Sequence, residues 1–117
     1  MTEFDATITG KVDVPRRQRE TRRHSLEQCE GKGSPRVIVL EGDEMVIGSA
    51  PGARIRLASK RASRRHVILR LRGTDCMLLD NDSHNGVLLN GVRVHSAVLR
   101  DGDVIQVADS VFVYSEG

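Results

Sequence analysis

The sequence has few aromatic residues: among 117 residues there are no tryptophans, one tyrosine and two phenylalanines. Proteins that bind single-stranded nucleic acid stack bases on aromatic side chains, so the composition disfavours that class. Nucleic-acid binding stays a minor alternative, because clustered basic residues supply salt-dependent affinity for phosphates. Such clusters occur in the N-terminal segment and in residues 54–72.

Long apolar runs are also missing. The longest aliphatic run covers only residues 37–40, whereas a membrane span needs about 18 residues. The N-terminus has no basic start followed by an apolar stretch, so a secretory signal is not predicted. We therefore expect a cytoplasmic protein without a membrane partner.

Cysteine is scarce too, with only Cys29 and Cys76 in the chain. Two distant cysteines fit neither a disulfide framework nor a zinc site. We expect reduced thiols, no bound metal and no cofactor.

The net charge of +2 conceals a segregated distribution of charge. Residues 54–72 contain no acid, whereas acids outnumber bases from residue 73 onward. Such segregation creates a local positive field in a protein of small net charge. The basic residues of this segment are Arg54, Arg56, Lys60, Arg61, Arg64, Arg65, Arg70 and Arg72.

The chain divides into two parts. Residues 1–35 have too few apolar side chains to offset the entropy of ordering the chain, which predicts a flexible basic tail with at most a short helix near Ser25. Residues 36–117 consist of short β-type runs separated by turn signals, among them Asn90-Gly91, a strong hairpin signal. This pattern predicts an all-β antiparallel sandwich or barrel.

Two polar motifs interrupt the β-type runs: Ser63-Arg64-Arg65-His66, and the stretch from Asp80 to Gly91. Neither motif contains a nucleophile with its base or a metal cage. Ser63 and His66 lack the oriented base and oxyanion site of a catalytic triad. The motifs therefore indicate a binding module for an anion rather than an enzyme.

Over roughly residues 37–114 the chain resembles forkhead-associated domains, the phosphothreonine-binding β-sandwiches. The resemblance implies an all-β fold of about eleven short antiparallel strands, with ligand-binding loops at one end. It lies in the order and spacing of five patterns: Gly48 after a hydrophobic strand, Ser63-x-x-His66, Ser83-x-Asn85-Gly86, Asn90-Gly91 and Leu99-x-x-Gly102-Asp103.

The resemblance assigns ligand contacts to four residues of these motifs. Ser63 would donate its hydroxyl to a phosphate oxygen, and Arg64 would add charge or contact the peptide backbone. Asn85 would hold the peptide main chain and help to select a residue downstream of the phosphothreonine. His84 occupies a position that often contacts the ligand.

Other motif residues would be structural. His66 would brace its loop by hydrogen bonds, and Gly86 and Gly91 would adopt backbone conformations that side chains disfavour. The same supporting role falls to Gly48, Ser83 and Asn90.

The sequence departs from the family at one position. The family usually has an arginine after the first-motif glycine, but here Gly48 is followed by Ser49. A neutral hydrogen bond contributes about 0.5–1.5 kcal/mol, and a hydrogen bond to a charged group contributes about 1.5–3 kcal/mol. Binding through Ser49 would therefore be roughly tenfold weaker than binding through an arginine at this position. We predict that Arg61 or Arg64 supplies the missing charge.

The N-terminal segment carries candidate phosphorylation residues. Ser25 follows Arg22-Arg23-His24, the pattern of a site for a basophilic serine/threonine kinase, and Thr7, Thr9 and Thr21 are alternative acceptors. A phosphate there could dock on the domain's own arginines. The alternative is that this segment has no binding role.

The predicted function is phosphothreonine-dependent binding of a partner protein, or of the chain's own phosphorylated tail, in bacterial kinase signalling. The chain would be the N-terminal regulatory part of a larger signalling or transcription-activator protein. The alternative, favoured by Ser49, is a protein-interaction domain that does not depend on phosphate.

Overall fold

The computed structural model describes residues 23–117, and all regular structure in this range is β-strand. The strands are β1 (His24–Glu30), β2 (Arg36–Leu40), β3 (Glu44–Gly48), β4 (Ile55–Arg56), β5 (Val67–Arg72), β6 (Asp75–Asp80), β7 (Val87–Leu89), β8 (Val92–Val94), β9 (Ser96–Val98), β10 (Val104–Val107) and β11 (Ser110–Glu116). Within this range no helix has the length and apolarity needed to cross a membrane.

The strands form two sheets. One has six strands in the order β2-β1-β11-β10-β7-β8, and the other has five in the order β4-β3-β5-β6-β9. The short strand β4 pairs parallel with β3, and the other pairs are antiparallel. The prediction of an all-β sandwich of about eleven short strands is therefore confirmed.

The core lies between the two sheets and is built from alternate residues of each strand. In β11 the side chains of Phe112 and Tyr114 are fully buried, whereas Val111 and Val113 between them are only partly buried. The large aromatic side chains bury extensive apolar surface. Aliphatic side chains such as Leu26 of β1 and Leu78 of β6 fill the remaining space.

Strand β1 lies in the segment that the sequence assigned to a flexible tail. It pairs with β11 on one side and with β2 on the other, so it is an interior strand of its sheet. The predicted tail to residue 35, with at most a short helix, is therefore wrong for residues 24–30. The sequence of β1 does not show the alternation of polar and apolar residues that indicates a strand, because two inward positions, His24 and Gln28, are polar yet buried.

The hydrogen bonds of these two side chains explain why β1 tolerates them. Gln28 Nε2 donates to Ser110 Oγ over 3.2 Å, and Gln28 Oε1 accepts from Arg36 Nε over 2.6 Å. His24 Nδ1 is hydrogen-bonded to the Tyr114 hydroxyl. Buried polar groups with such partners avoid the cost of desolvation without compensation.

The strand β1 also changes the setting of one candidate phosphorylation residue. Ser25 is half-buried in β1 and lies in register with Ser115 and Val39 of the neighbouring strands. The sequence predicts a flexible tail around Ser25. The strand pairing shows that this prediction is wrong for this residue. The other candidates, Thr7, Thr9 and Thr21, lie outside the described residues.

The Asn90-Gly91 turn joins β7 to β8, as its sequence predicts. Asn90 has φ of 51° and Gly91 has φ of 84°, and Leu89 pairs with Val92 across the turn. Two positive φ values are what a type I′ hairpin turn requires.

Strand pairing brings the motif-carrying loops to one end of the sandwich. Ile47, near the end of β3, pairs with Val67 at the start of β5, and Val67 pairs with Asp80 at the end of β6. The β3–β4 loop (49–54), the β4–β5 loop (57–66) and the β6–β7 loop (81–86) therefore leave the sheets at the same end.

Candidate functional site

Gly48 sits where the β3–β4 loop packs tightly on the β4–β5 loop. Ser49 N donates to Ser63 O over 3.0 Å, and Ala50 N donates to Arg64 O over 3.1 Å. A Cβ atom at residue 48 would lie 2.1 Å from Arg64 O. Only glycine permits this approach, which fixes the loop carrying Ser63 against the end of β3.

His66 joins the β4–β5 loop to the β6–β7 loop. Its ring is fully buried. Nδ1 accepts a hydrogen bond from Ser63 N over 3.0 Å, and Nε2 lies 2.8 Å from Gly86 O. Because a backbone N–H must donate to Nδ1, the proton is on Nε2, which donates to the carbonyl.

Short-range hydrogen bonds shape the β6–β7 loop. Ser83 N donates to Asp80 Oδ1 over 3.0 Å, and Ser83 Oγ accepts from Gly86 N over 2.9 Å. Gly86 has φ of 77°. Asn81 Nδ2 donates to Arg65 O over 2.9 Å, which attaches this loop to the β4–β5 loop.

Ser63, His84 and Asn85 meet where these two loops touch. Ser63 Oγ accepts a hydrogen bond from His84 N over 3.1 Å. A hydroxyl also has one hydrogen to donate, and Ser63 donates it to no group of residues 23–117. Ser63 is half-buried, and His84 and Asn85 are exposed.

Asn85 is held beside Ser63 through the backbone of the β4–β5 loop. Its Nδ2 donates to Arg61 O over 2.7 Å. The amide oxygen, Oδ1, accepts no hydrogen bond from the described part of the chain. Asn85 therefore keeps an acceptor and one N–H available for another molecule.

The predicted replacement cations have different surroundings. Arg61 Nε lies 3.7 Å from Asp109 Oδ1, and both side chains are more than half exposed. An ion pair of this kind contributes little. Arg64 is exposed, and its guanidinium has no ion pair or hydrogen bond within residues 23–117.

Arg56 is a neighbour of Ser49 that no sequence motif assigns to the site. Its Nε donates to Ser49 O over 3.2 Å, and its backbone pairs with Gly48 in the parallel β3–β4 ladder. Polar and apolar residues alternate over residues 54–57, which indicates only that Arg56 is exposed. Its position beside Ser49 follows from the parallel pairing of two residues, for which the sequence has no signal.

Taken together, the loops form a rim that exposes a hydroxyl, an amide and several guanidinium groups. The structure brings together Ser49, Ser63, Arg64, His84 and Asn85, with Arg61 at the side near Asp109. These groups donate hydrogen bonds and carry positive charge, so the rim is suited to an anionic ligand with a polar backbone.

Residues 45–108 match the family model of the FHA domain. The two-sheet fold, the loops at one end and the motif residues on those loops agree with this match. The chain therefore belongs to the forkhead-associated domain family, as the motifs suggested.

Known relatives include the FHA domain-containing protein FhaA of Mycobacterium tuberculosis, which is 36% identical over 81 residues. That alignment covers 69% of this chain and 15% of FhaA. The chain spans less than half of the length of the curated relatives that it matches.

Two solved structures have a similar fold. The FhaA FHA domain complexed with the intracellular domain of Rv3910 has a TM-score of 0.72 and 33% identity, covering 78% of this chain and 98% of that chain. Mycobacterium tuberculosis EmbR in complex with a low-affinity phosphopeptide has a TM-score of 0.76 and 28% identity, covering 97% of this chain and 31% of that chain.

Proposed function

We propose that this chain is a phosphothreonine-dependent protein-binding module of bacterial kinase signalling, without catalytic activity, acting in the cytoplasm. The proposal rests above all on the hydrogen bond from His84 N to Ser63 Oγ. This bond uses the hydroxyl as an acceptor and leaves its hydrogen available to donate to a ligand. The solved complexes of FhaA with a protein domain and of EmbR with a phosphopeptide support the same function.

In this proposal the phosphate lies over Ser63. The Ser63 hydroxyl donates to one phosphate oxygen, and the exposed His84 side chain lies at the edge of the same group. Asn85 hydrogen-bonds the peptide main chain through its free amide oxygen and N–H. Arg64 adds positive charge, since its guanidinium has no acid partner in residues 23–117.

Arg56 is proposed to supply part of the charge that Ser49 lacks. Its guanidinium is already held at the Ser49 carbonyl by a hydrogen bond of 3.2 Å, and its other N–H groups remain available for an anion. Arg61 remains a candidate for the same role, although its ion pair with Asp109 competes.

The test is a calorimetric titration with a phosphothreonine peptide selected from an oriented library, together with the same peptide carrying unmodified threonine. We expect the phosphorylated peptide alone to bind, and Asn85→Ala to weaken binding about tenfold through lost hydrogen bonds. Equal binding of both peptides would instead support a phosphate-independent interaction domain.

The ligand is a partner protein or the chain's own phosphorylated N-terminal segment. Ser25 is paired on both sides in β1, so a kinase would have to release this strand before phosphorylating it. Among the candidates this favours Thr21, Thr7 and Thr9. Three peptides of residues 1–23, each phosphorylated at one of these threonines, test the second possibility. Binding of one of them would identify the chain's own segment as a ligand, and binding of none would leave the partner protein.

A further inference from the structure

Strand β2 is an edge strand of the six-stranded sheet, and within residues 23–117 it pairs only with β1. Its sequence, Arg-Val-Ile-Val-Leu, contains the longest aliphatic run of the chain. The other edge strands are shorter, since β8 and β9 have three residues each and β4 has two. Long apolar edges readily pair with other strands, so proteins usually cover or interrupt them. The free edge of β2 is therefore a place where a further strand can add.

The outward face of β2 is apolar. Val37 is 66% exposed, more than any other large apolar side chain of residues 23–117. Val39 lies on the same face, because side chains alternate along a strand, and it is half-buried. A strand added beside β2 would stabilise itself by cross-strand contacts if it placed apolar side chains next to these two valines.

The opposite face of β2 carries positive charge. Arg36 Nε donates to Gln28 Oε1, and Arg36 Nη2 donates to Arg56 O over 3.1 Å. This face of β2 therefore lies next to β4, the edge strand of the other sheet. Neither guanidinium forms an ion pair with a carboxylate of residues 23–117. An added strand would meet valines on one face and arginines on the other.

The N-terminal segment has a strand pattern that its low apolar content conceals. From residue 3 to residue 14, apolar residues occupy every even position except Gly10, and polar or charged residues occupy every odd position. Such alternation is typical of a β-strand with one apolar face. Pro15 ends the run, since proline cannot donate to a strand ladder. The apolar residues are Phe4, Ala6, Ile8, Val12 and Val14.

The charges of this run complement the arginine-bearing face of β2. Its odd positions carry three acids, Glu3, Asp5 and Asp13, against the single base Lys11. Opposite charges on neighbouring strands stabilise their pairing. The apolar positions and the acidic positions of the run thus match the two faces of the β2 edge.

The connection to β1 is long enough for this pairing. The run is joined to β1 by residues 15–23, and His24, the first residue of β1, pairs with Leu40 at the end of β2. Nine residues reach at most about 30 Å, whereas the five residues of β2 span about 17 Å. The run can therefore reach the edge in either direction. A short tether of this kind gives an effective concentration in the millimolar range, which favours the chain's own segment over a second copy.

We propose that residues 3–14 add as a strand to the free edge of β2, with their apolar side chains beside Val37 and Val39 and their acids toward Arg36 and Arg56. Strand addition to a sheet edge is a general mode of segment recognition. No phosphate takes part, so this inference does not depend on the proposed function.

The added strand contains Thr7 and Thr9, two candidate phosphorylation residues. Release of the strand would then be the step that exposes these threonines to a kinase, since a paired strand has to open before another protein can bind it.

The experiment uses the full chain without any peptide. Nuclear magnetic resonance measures amide hydrogen exchange in β2 and nuclear Overhauser contacts between residues 3–14 and residues 36–40. We expect contacts between the two segments, and we expect slow exchange of the β2 amides that face away from β1, because the added strand accepts their hydrogen bonds.

A rearranged segment tests the alternation at constant composition and charge. The variant Thr7→Ile/Ile8→Thr/Lys11→Val/Val12→Lys moves two apolar side chains to the polar face. It should lose the contacts and accelerate exchange of the outward β2 amides about tenfold or more. The matched control Ile8→Val/Val12→Ile keeps the alternation and should behave as wild type.

A second pair of variants tests the edge itself. Val37→Asp places a charge at the apolar face of β2 and should also remove the contacts with residues 3–14. The matched control is Val98→Asp on β9, because Val98 is also exposed, at 49%, and lies in the other sheet. It should leave the contacts unchanged. Thermal unfolding verifies that each variant is folded, and the rearranged segment alone decides the question if Val37→Asp is not.

Three results would overturn the inference. Exchange of the outward β2 amides that is as fast in wild type as in the rearranged variant would show that the edge is open. Contacts that persist in the rearranged variant would show that alternation is not what binds the segment. In a mixture of isotope-labelled and unlabelled chains, contacts that form only between different chains would make a second copy the occupant. Each of these results leaves phosphothreonine binding untouched.

Discussion

The backbone N–H of His84 donates to the hydroxyl oxygen of Ser63 across 3.1 Å, although the two residues are 21 positions apart in the chain. This bond joins the β4–β5 loop to the β6–β7 loop. The Ser63 oxygen accepts from the protein in this bond, and the hydroxyl hydrogen has no acceptor among residues 23–117, so it is available to donate to a ligand. The proposed role of Ser63 depends on this relationship.

Substitution of Ser63 by alanine should weaken phosphothreonine peptide binding about tenfold or more. The variant loses a hydrogen bond to a charged group, which contributes about 1.5–3 kcal/mol. Its fold should persist, because exposed His84 N can bind water instead. Calorimetric titration measures the affinity, and Ser115→Ala, in β11 beside Ser25, is the matched control that should bind as wild type. Equal affinity of Ser63→Ala and wild type would contradict the assigned role.

Substitution of Arg56 by alanine should weaken phosphopeptide binding about three- to tenfold, because a guanidinium held beside Ser49 is removed. The matched control is Arg54→Ala, since Arg54 lies two residues earlier and pairs with Glu41 over 3.3 Å. Titrations of both variants at low and high salt measure the effect. If Arg54→Ala weakens binding as much as Arg56→Ala does, the contribution of Arg56 is general surface charge only.

Replacement of Ser49 by arginine should strengthen binding of the same peptide roughly tenfold. The new side chain would restore a charge-assisted hydrogen bond in place of a neutral one, a gain of about 1–2 kcal/mol. The double variant Ser49→Arg/Arg56→Ala is informative, because Arg56 should contribute less once residue 49 is charged. Unchanged affinity of Ser49→Arg would mean that the phosphate does not approach residue 49.

Much of this fold can be predicted from local sequence signals. The Asn90-Gly91 turn has the two positive φ values that its residue types permit. The motif Ser63-x-x-His66 could be placed in a loop because it interrupts a β-type run. These features depend on residues that are neighbours in the chain, so they can be recognised in a single sequence.

Features that depend on distant partners could not be predicted. Strand β1 has polar residues at two inward positions, and their partners Tyr114 and Ser110 are 90 and 82 residues away. Arg56 lies near Ser49 only because the two-residue strand β4 pairs with β3. Neither relationship has a periodic pattern in the sequence, so sequence patterns alone place the end of the tail too late and do not assign Arg56 to the site.

Substitution of Gly48 by alanine should destabilise the domain by about 1–3 kcal/mol, the usual cost of overpacking. The new methyl group would lie 2.1 Å from Arg64 O, a backbone atom that cannot rotate away. Urea unfolding measures the change. Gly52→Ala is the matched control and should be close to neutral, because a Cβ atom there meets nothing within 4 Å. A stable Gly48→Ala variant would show that the two loops can separate without cost.

Alkaline pH should destabilise the domain through its buried acidic groups. Burial raises the pKa of the Cys76 thiol from 9.0 to about 12, with a smaller contribution from the charge of Glu116. Burial also raises the pKa of the Tyr114 hydroxyl. Above pH 9 the unfolded chain releases a proton from residue 76 that the folded chain keeps. The unfolding free energy therefore falls as pH rises from about 9 toward 12, by at most about 1.4 kcal/mol per pH unit for this group.

Urea unfolding at pH 7, 9, 10 and 11 tests this dependence. Cys76→Ala should be less stable than wild type at pH 7, because it leaves a small cavity, yet its stability should fall less steeply above pH 9. Cys29→Ser is the matched control, since Cys29 is exposed and its substitution should leave the slope unchanged. The decisive quantity is the difference in slope between wild type and Cys76→Ala. Equal slopes would show that Cys76 titrates alike in the folded and unfolded chains, which is incompatible with a thiol sealed in the core.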